Sequence, residues 1–166
     1  GVVALDLTAE SLSWTKSEPD PDRYVTVVGS VTEESVNREA VAAAVSTFGR
    51  LDVSILNAGV TGSLPWNEPG TIDALRRILD INVVGVAIGL NEAAAVMKKQ
   101  GSGCVLVTCS SSGLRGDPGN WAYNASKAAV INLVRAAALD LGSHGIRSEE
   151  HTSELQSHSD LVCRLL

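Results

Sequence analysis

The sequence has 166 residues, 45% of them hydrophobic and 19% charged, as in a single globular domain with its own core. Its net charge of −6 and the lack of a basic run argue against binding to nucleic acid or to an anionic membrane. The longest apolar candidate, residues 81–90, is too short for a membrane span and is interrupted by Asn82, and we expect no signal peptide. Cys104 and Cys109 lie five apart in one predicted strand and face opposite ways, so we expect no disulfide framework and a cytoplasmic location.

Short apolar runs alternate with helical periodicity along the chain. Between the first two apolar runs, residues 10–23 predict a short helix followed by an exposed loop. Four buried strands are predicted, at residues 2–6, 24–28, 51–57 and 104–109. Three helices are predicted, from Thr32 or Glu33 to a C-cap at Gly49, then at residues 71–100 and 122–141. This order predicts an α/β fold with a doubly wound parallel sheet, covered on both faces, that binds ligands at the C-terminal ends of its strands.

Tyr123 and Lys127 form the most informative local pattern. Residues four apart on a helix share one face, so both side chains reach a common ligand. A cation beside a phenol favours the phenolate, which lets tyrosine act as an acid or base near neutral pH. Taken alone, the pair is more simply explained as part of an ordinary amphipathic helix.

Three further polar positions add to this pattern. Ser110 follows a buried strand, where its hydroxyl can donate a hydrogen bond to a reacting carbonyl, although a serine-rich turn bonded to its own backbone is the simpler alternative. Asn57 ends the preceding strand, followed by Ala58 and Gly59. Asn82 lies among apolar residues in the long helix, where the alternative is a buried amide bonded to a neighbouring backbone group.

The order and spacing of these residues resemble the short-chain dehydrogenase/reductase family over residues 1–147. The resemblance implies that Tyr123 is the catalytic acid/base and that Ser110 orients the substrate carbonyl or hydroxyl. It implies that Lys127 promotes ionisation of Tyr123 and holds the nicotinamide ribose, and that Asn82 supports a water linking the lysine to solvent. In the same way, Asn57, Ala58 and Gly59 stabilise the central sheet and line the cofactor cleft, where the nicotinamide supplies the hydride chemistry.

The cofactor is predicted from Asp6. An acid at the end of the second strand of such a fold binds the adenosine ribose hydroxyls of NAD and repels the extra phosphate of NADP. No lysine or arginine lies between Asp6 and Lys16 to bind that phosphate. The alternative is a solvated strand-end acid. Ser30, followed by Val31, stands where the family usually has an aspartate near the adenine, so the adenine contact departs from the family pattern.

The family's glycine-rich phosphate-binding turn and first strand have no counterpart in the sequence. The chain begins at Gly1 and its single methionine is Met97, so we expect a fragment. In the family the first strand lies between the strands that hold Asp6 and Asn57, and its loss leaves a gap of roughly 9.6 Å. We expect an open gap or direct pairing across it, and an incomplete sheet that also lacks the C-terminal strands.

Residues 148–166 are predicted to be a non-native tail. Residues 147–166 resemble the conceptual translation of a short-read sequencing adapter, and the tail lacks the apolar run of a central strand. We expect it to pack loosely or not at all. His151, His158 and Cys163 match no familiar metal-ligand spacing, so no metal site is predicted.

The leading functional hypothesis is an NAD-dependent oxidoreductase that acts on a small alcohol or ketone. A catalytically silent dinucleotide-binding module of the same fold is the alternative, against which the intact Tyr123–Lys127 pair argues. A serine hydrolase using Ser110 is disfavoured because the sequence has no G-x-S-x-G.

The apolar faces of the last helix predict a homodimer or homotetramer. For the fragment itself we expect no activity.

Overall fold

The computed structural model of the chain describes residues 1–152 and 163–165. These residues form a six-stranded sheet in the order β2-β1-β6-β3-β4-β5. All neighbouring strands are parallel except that β6 is antiparallel to both β1 and β3. The strands are β1 (Val2–Asp6), β2 (Tyr24–Val28), β3 (Val53–Leu56), β4 (Gly103–Cys109), β5 (Ile146–Thr152) and β6 (Cys163–Leu165). The predicted α/β fold with a parallel, Rossmann-like sheet is confirmed.

Four α-helices connect the strands within the described part of the chain. They are α1 (Glu34–Phe48), α2 (Thr71–Leu79), α3 (Gly85–Gln100) and α4 (Trp121–Gly142). A π-helical turn, Asp80–Val84, joins α2 to α3, so the long predicted helix is continuous but locally widened. Between β1 and β2 there are two short 3-10 turns in place of the predicted short helix. Gly49 ends α1 with φ +81° and donates its N–H to the Val45 carbonyl, as a C-cap glycine should.

The core lies between the helices and the sheet. Helices α1 and α3 pack on each other and on the strands, and α4 packs on β5. In β4 the side chains of Val105, Val107 and Cys109 are buried, while the residues between them are only half-buried. The expectation of cover on both faces therefore holds at β1, where Val3, Ala4 and Leu5 are all buried, but not along β4. The alternation in β4 is that of a sheet covered mainly on one face.

The gap predicted between the strands of Asp6 and Asn57 is not open. Strand β6 lies in it, pairing Ala4 with Arg164 on one side and Ser54 with Leu165 on the other. Both expectations for the gap were therefore wrong. The backbone groups of β1 and β3 would be costly to bury unpaired, and an antiparallel segment bonds them as effectively as a parallel one.

The prediction of a loosely packed tail was also wrong for residues 148–152. They belong to β5, which pairs in register with β4 from Ile146 to Thr152. The absence of an apolar run misled the prediction because β5 ends the sheet order and is not a central strand. Ile146 and Ser148 are buried while Arg147 and Glu149 are exposed, the alternation expected of a strand with one covered face.

The helical stretch Thr71–Gln100 contradicts the expectation that no segment is long and apolar enough for a membrane span. By length and composition it is apolar enough to cross a membrane, whereas the sequence pattern predicted no segment of that kind. A single such helix is weak evidence for a membrane span, because the core helix of a soluble protein passes the same test of length and composition. The packing of α3 on α1, β3 and β4 accounts for its apolar composition.

Candidate active site

Tyr123 and Lys127 lie in the first two turns of α4, on one face as predicted. Lys127 is only 5% exposed, and its Nζ donates to the carbonyl of Thr108 at 2.7 Å. The same nitrogen lies 5.8 Å from the centroid of the Tyr123 ring. Because Thr108 is in β4, this hydrogen bond fixes the lysine at the C-terminal end of the sheet. A phenol and an ammonium group are thereby placed side by side where parallel sheets bind ligands.

Burial lowers the pKa of Lys127 from its ordinary value, because desolvation disfavours the charged form. A negative charge on Cys109 would oppose this effect. However, burial raises the pKa of the Cys109 thiol to about 11, so that the thiol is neutral at pH 7. Lys127 is therefore easier to deprotonate than a solvated lysine.

Ser110 lies directly after β4. Its Oγ accepts a hydrogen bond from the N–H of Ser112 at 3.2 Å, so it caps the 3-10 turn Ser111–Gly113. The serine-turn alternative describes this contact correctly, but the contact uses only the oxygen as an acceptor and leaves the hydroxyl hydrogen for donation. Gly113 lets the turn approach α4, since a Cβ there would stand 2.8 Å from the carbonyl carbon of Lys127. The Ser110 segment is thus held against the helix of Tyr123 and Lys127.

Asn82 is in the π-helical turn and is 1% exposed. Its Oδ1 accepts from the N–H of Val60 at 2.7 Å, and its Nδ2 donates to the carbonyl of Val60 at 2.9 Å. Nδ2 also donates to Ser126 Oγ at 2.9 Å, and Ser126 Oγ donates to the carbonyl of Tyr123 at 2.7 Å. The alternative of a buried amide bonded to backbone is therefore what the structure shows. The same bonds join Asn82 to the helix turn of Tyr123, and its support of a water stays a prediction.

The residues after β3 lie beside this network. Asn57 Oδ1 accepts a hydrogen bond from Thr108 Oγ1 at 2.6 Å. Gly59 is close to both Asn82 and Lys127, since a Cβ there would lie 3.4 Å from Asn82 Oδ1 and 3.7 Å from Lys127 Nζ. A pocket next to these residues is lined by Val31, Asn37, Leu56, Asn57, Ala58, Ile81, Gly85 and Val86. The structure therefore brings together Val31, Asn57 and Ala58, which were predicted to contact the cofactor.

Asp6 and Ser30 are not part of that pocket. Asp6 ends β1, and its Oδ1 accepts from the N–H of the next residue, Leu7, at 2.7 Å. Ser30 follows β2, and its hydroxyl is hydrogen-bonded to that of Thr32 at 2.7 Å. Both lie at the C-terminal edge of the sheet, as a site for the adenosine half of a dinucleotide requires, but no hydrogen bond within the described residues joins them to the Lys127 region.

Three residues of this network were not predicted from the sequence. Thr108 links Asn57 to Lys127, Ser126 links Asn82 to Tyr123, and Ser63 contacts the start of α4. Thr108 is a polar residue in an otherwise apolar strand, and Ser126 precedes Lys127, so both carried a weak signal. Ser63 carried none, because its partners are distant in sequence.

Among the side chains that the structure describes, those of residues 1–150, no group of three or more metal-binding residues occurs. The side chains of His151, His158 and Cys163, the three residues considered as metal ligands, lie outside that range. The expectation of no metal site therefore stays a prediction.

A family model described as short chain dehydrogenase matches residues 1–151. The chain is similar to levodione reductase of Leifsonia aquatica, with 35% identity over 147 residues, 86% of this chain and 55% of that protein. It is also similar to mitochondrial borneol dehydrogenase of Lavandula x intermedia, with 38% identity over 118 residues, 70% of this chain and 46% of that protein. A solved structure of NAD+-bound xylitol dehydrogenase is 33% identical, with a TM-score of 0.81 over 90% of this chain and 58% of that one. The chain thus spans about half the length of the curated relatives it matches.

Proposed function

The chain belongs to the short-chain dehydrogenase family, and we propose that the whole protein interconverts a small secondary alcohol and its ketone by hydride transfer with NAD. The observation that carries the proposal is the placement of Lys127, buried beside Tyr123 and bonded to the strand that leads to Ser110. Relatives named as a reductase of levodione and a dehydrogenase of borneol support the same class of reaction.

The residues of the site fit a nicotinamide cofactor. Asn57, Ala58 and Val31 line a pocket. Gly59 follows them in sequence, and a Cβ built on Gly59 would lie 3.7 Å from Lys127 Nζ, so a cation is available next to this segment. When bound, the cofactor supplies the group that accepts or delivers hydride. A nearly buried lysine suits the hydroxyl groups of a ribose, because its ammonium hydrogens find few other partners.

Each catalytic side chain has a distinct task in this proposal. The Tyr123 phenolate takes the proton from the alcohol, and in the reverse direction the Tyr123 hydroxyl gives that proton to the ketone oxygen. The Ser110 hydroxyl donates a hydrogen bond to the substrate oxygen, on which negative charge develops. Lys127 stabilises the Tyr123 phenolate by its charge. Asn82 fixes the backbone of Val60 and, through Ser126, the helix turn of Tyr123.

NAD is proposed over NADP because Asp6 ends β1 with a carboxylate, which favours ribose hydroxyls and repels a phosphate. The similar xylitol dehydrogenase binds NAD+, in keeping with this preference. Steady-state kinetics of the whole protein with both cofactors test it. Equal or better use of NADP would contradict the cofactor assignment, and no turnover of secondary alcohols or ketones with either cofactor would favour the silent dinucleotide-binding module.

We propose that the 166-residue chain alone is inactive. Its sequence has no G-x-G-x-x-G, the turn whose backbone N–H groups bind a pyrophosphate. Calorimetric titration of the chain with NAD tests this, and binding at micromolar concentration together with a cooperative unfolding transition would contradict it.

Assembly into a homodimer or homotetramer is part of the proposal, as is a cytoplasmic location. Leu139 is 84% exposed on α4, and Ala128, Ala129 and Ala136 lie on the same helix. Small apolar side chains allow close packing between helices, which suits a subunit interface. Light scattering of the whole protein at micromolar concentration tests this, and a monomer would count against the interface.

A further inference from the structure

The loop between β3 and α2 meets the first turn of α4 at three points. Ser63 Oγ accepts hydrogen bonds from the N–H groups of Ala122 and Tyr123, at 3.2 and 3.3 Å. Trp121 Nε1 donates to the carbonyl of Leu64 at 2.9 Å. The Trp121 ring also stacks on that of Trp66, with centroids 3.9 Å apart and planes 20° apart. The start of the helix is therefore held by a segment that is distant in sequence.

The bonds from Ser63 supply what the local sequence omits. The first N–H groups of an α-helix have no partner within the helix and are usually capped by the side chain just before it. Asn120 occupies that position in α4 but makes no side-chain cap hydrogen bond. Ser63 takes over this task for two of the N–H groups, one of which belongs to Tyr123 itself.

The same loop is anchored again a few residues earlier. Val60 is held through both its N–H and its carbonyl by the Asn82 side chain. At the far end, Thr71 Oγ1 bonds to the carbonyls of Pro65 and Glu68. The loop is thus fixed to the π-helical turn at one point and to the backbone of Tyr123 at another. A shift of the loop at Ser63 would be passed directly to the backbone of Tyr123.

We infer that Ser63 is a positioning residue for the reaction: its hydroxyl caps α4 from outside the helix and thereby sets the position of the Tyr123 hydroxyl. The inference rests on the proposed function, since it assigns Tyr123 the proton transfer. It predicts that removal of the Ser63 hydroxyl slows chemistry without weakening the cofactor site, because Lys127 has its own anchor on Thr108. Displacement of a reacting group by a fraction of an ångström is enough for a large rate effect.

The test uses Ser63→Ala, Ser63→Thr and a control, Ser46→Ala, in the whole protein. Ser46 is an exposed serine of α1 whose Oγ donates to the Ala43 carbonyl, remote from the site in sequence and in fold. For Ser63→Ala we expect kcat to fall roughly tenfold or more, with the dissociation constant of NAD unchanged. Ser63→Thr retains an oxygen at the cap and should restore most of kcat, and Ser46→Ala should match the unsubstituted protein. Equal kcat in Ser63→Ala and the unsubstituted protein, or no recovery in Ser63→Thr, would overturn the inference.

Amide hydrogen exchange separates this inference from the proposed function. In Ser63→Ala the amides of Ala122 and Tyr123 should exchange roughly tenfold faster, the factor that corresponds to loss of a typical helix cap. Unchanged exchange rates would overturn the inference whatever the activity. An unsubstituted protein that shows no turnover would instead overturn the proposed function, while faster exchange in Ser63→Ala would still establish the cap.

Discussion

Side chains around Lys127 are held by hydrogen bonds between distant parts of the chain, whereas those at the ends of β1 and β2 are held only locally. Lys127 bonds to Thr108 and Asn82 to Val60 and Ser126, contacts that span 19 to 44 positions. Within the described part of the chain, the side chains of Asp6 and Ser30 make hydrogen bonds only to residues one or two positions away. The first region is set by the fold before any ligand arrives. The second offers functional groups whose orientation a ligand can still adjust, so substitutions in the two regions should have different consequences.

The largest effect is expected for Tyr123→Phe in the whole protein. This change removes only the hydroxyl, so kcat should fall by roughly 100-fold to 10,000-fold, the range for loss of a positioned acid or base. NAD binding should be little affected, because the ring and Lys127 remain. Stopped-flow or steady-state kinetics measure the first and calorimetry the second. Tyr24→Phe, which removes a hydroxyl bonded to Glu18 outside the site, is the matched control. Retention of most activity by Tyr123→Phe would refute the role given to Tyr123.

Asn82→Ala should show how far the region around Lys127 depends on its buried bonds. The substitution leaves both backbone groups of Val60 and the Ser126 hydroxyl without their amide partner. A cost of about 2–4 kcal/mol in the free energy of unfolding is expected, measured by denaturant titration. Asn132→Ala, which truncates an exposed asparagine of α4, should cost far less. Similar losses in the two variants would mean that the Asn82 bonds do not hold the site together.

Cys109 supplies a pH-dependent test of burial in the same region. Burial raises the pKa of its thiol from 9.0 to about 11, opposed by the charge of Lys127, while Glu150 adds to the rise and Arg135 opposes it. Between these two values the folded protein keeps a proton that the unfolded chain has lost. The free energy of unfolding should therefore fall as pH rises from 9 to 11. The loss is expected to be about 1–2 kcal/mol, less than the full pKa difference would give, because solvent screening reduces it.

This loss of stability at high pH should be absent from the Cys109→Ala variant. Denaturant titrations at several pH values, between the ordinary and the raised pKa of the thiol, measure it. Cys104→Ala serves as the control, since Cys104 is in the same strand but only half-buried. An equal change with pH in the unsubstituted protein and in Cys109→Ala would show that the thiol is not desolvated as the structure indicates.

The smallest effect is expected on the side of β1 and β2. Asp6→Asn removes the carboxylate but keeps the shape, so the preference for NAD over NADP in kcat/KM should fall by about tenfold, the value of a modest electrostatic contact. Stability should change little, because the Asp6 side chain bonds only to the neighbouring backbone. Asp20→Asn, in the exposed loop before β2, is the control. An unchanged preference would remove Asp6 from the cofactor site.

The strands and helices could be predicted because their signals are local. Apolar runs and the glycine at the end of α1 predicted four strands and three long helical segments, with bounds close to those observed. The placement of Tyr123 and Lys127 on one helical face also follows from local geometry alone. The prediction failed for β5, whose polar residues suit an edge position that only the sheet order reveals.

Ser63, Thr108 and Ser126 could not be predicted as members of the site. A hydroxyl residue has the same appearance in a sequence whether it faces solvent or bonds to the helix of Tyr123. Its partners depend on how the loop after β3, the π-helical turn and α4 pack together. An amide among apolar residues needs buried partners, which made Asn82 conspicuous, but the identity of those partners, Val60 and Ser126, was not accessible from the sequence.

The sequence by itself determined the order of strands and helices, the family resemblance and the residues that offer acid/base chemistry, since periodicity and short spacings encode each of these. The tertiary structure decided that β6 occupies the space between β1 and β3, that only one face of β4 is well covered, and that Ser63 caps the helix of Tyr123. These features depend on which backbone groups of distant segments remain to be paired. Backbone N–H and carbonyl groups are the same in every residue, except that proline lacks the N–H. The side-chain pattern of a segment therefore does not determine which other segment its backbone pairs with.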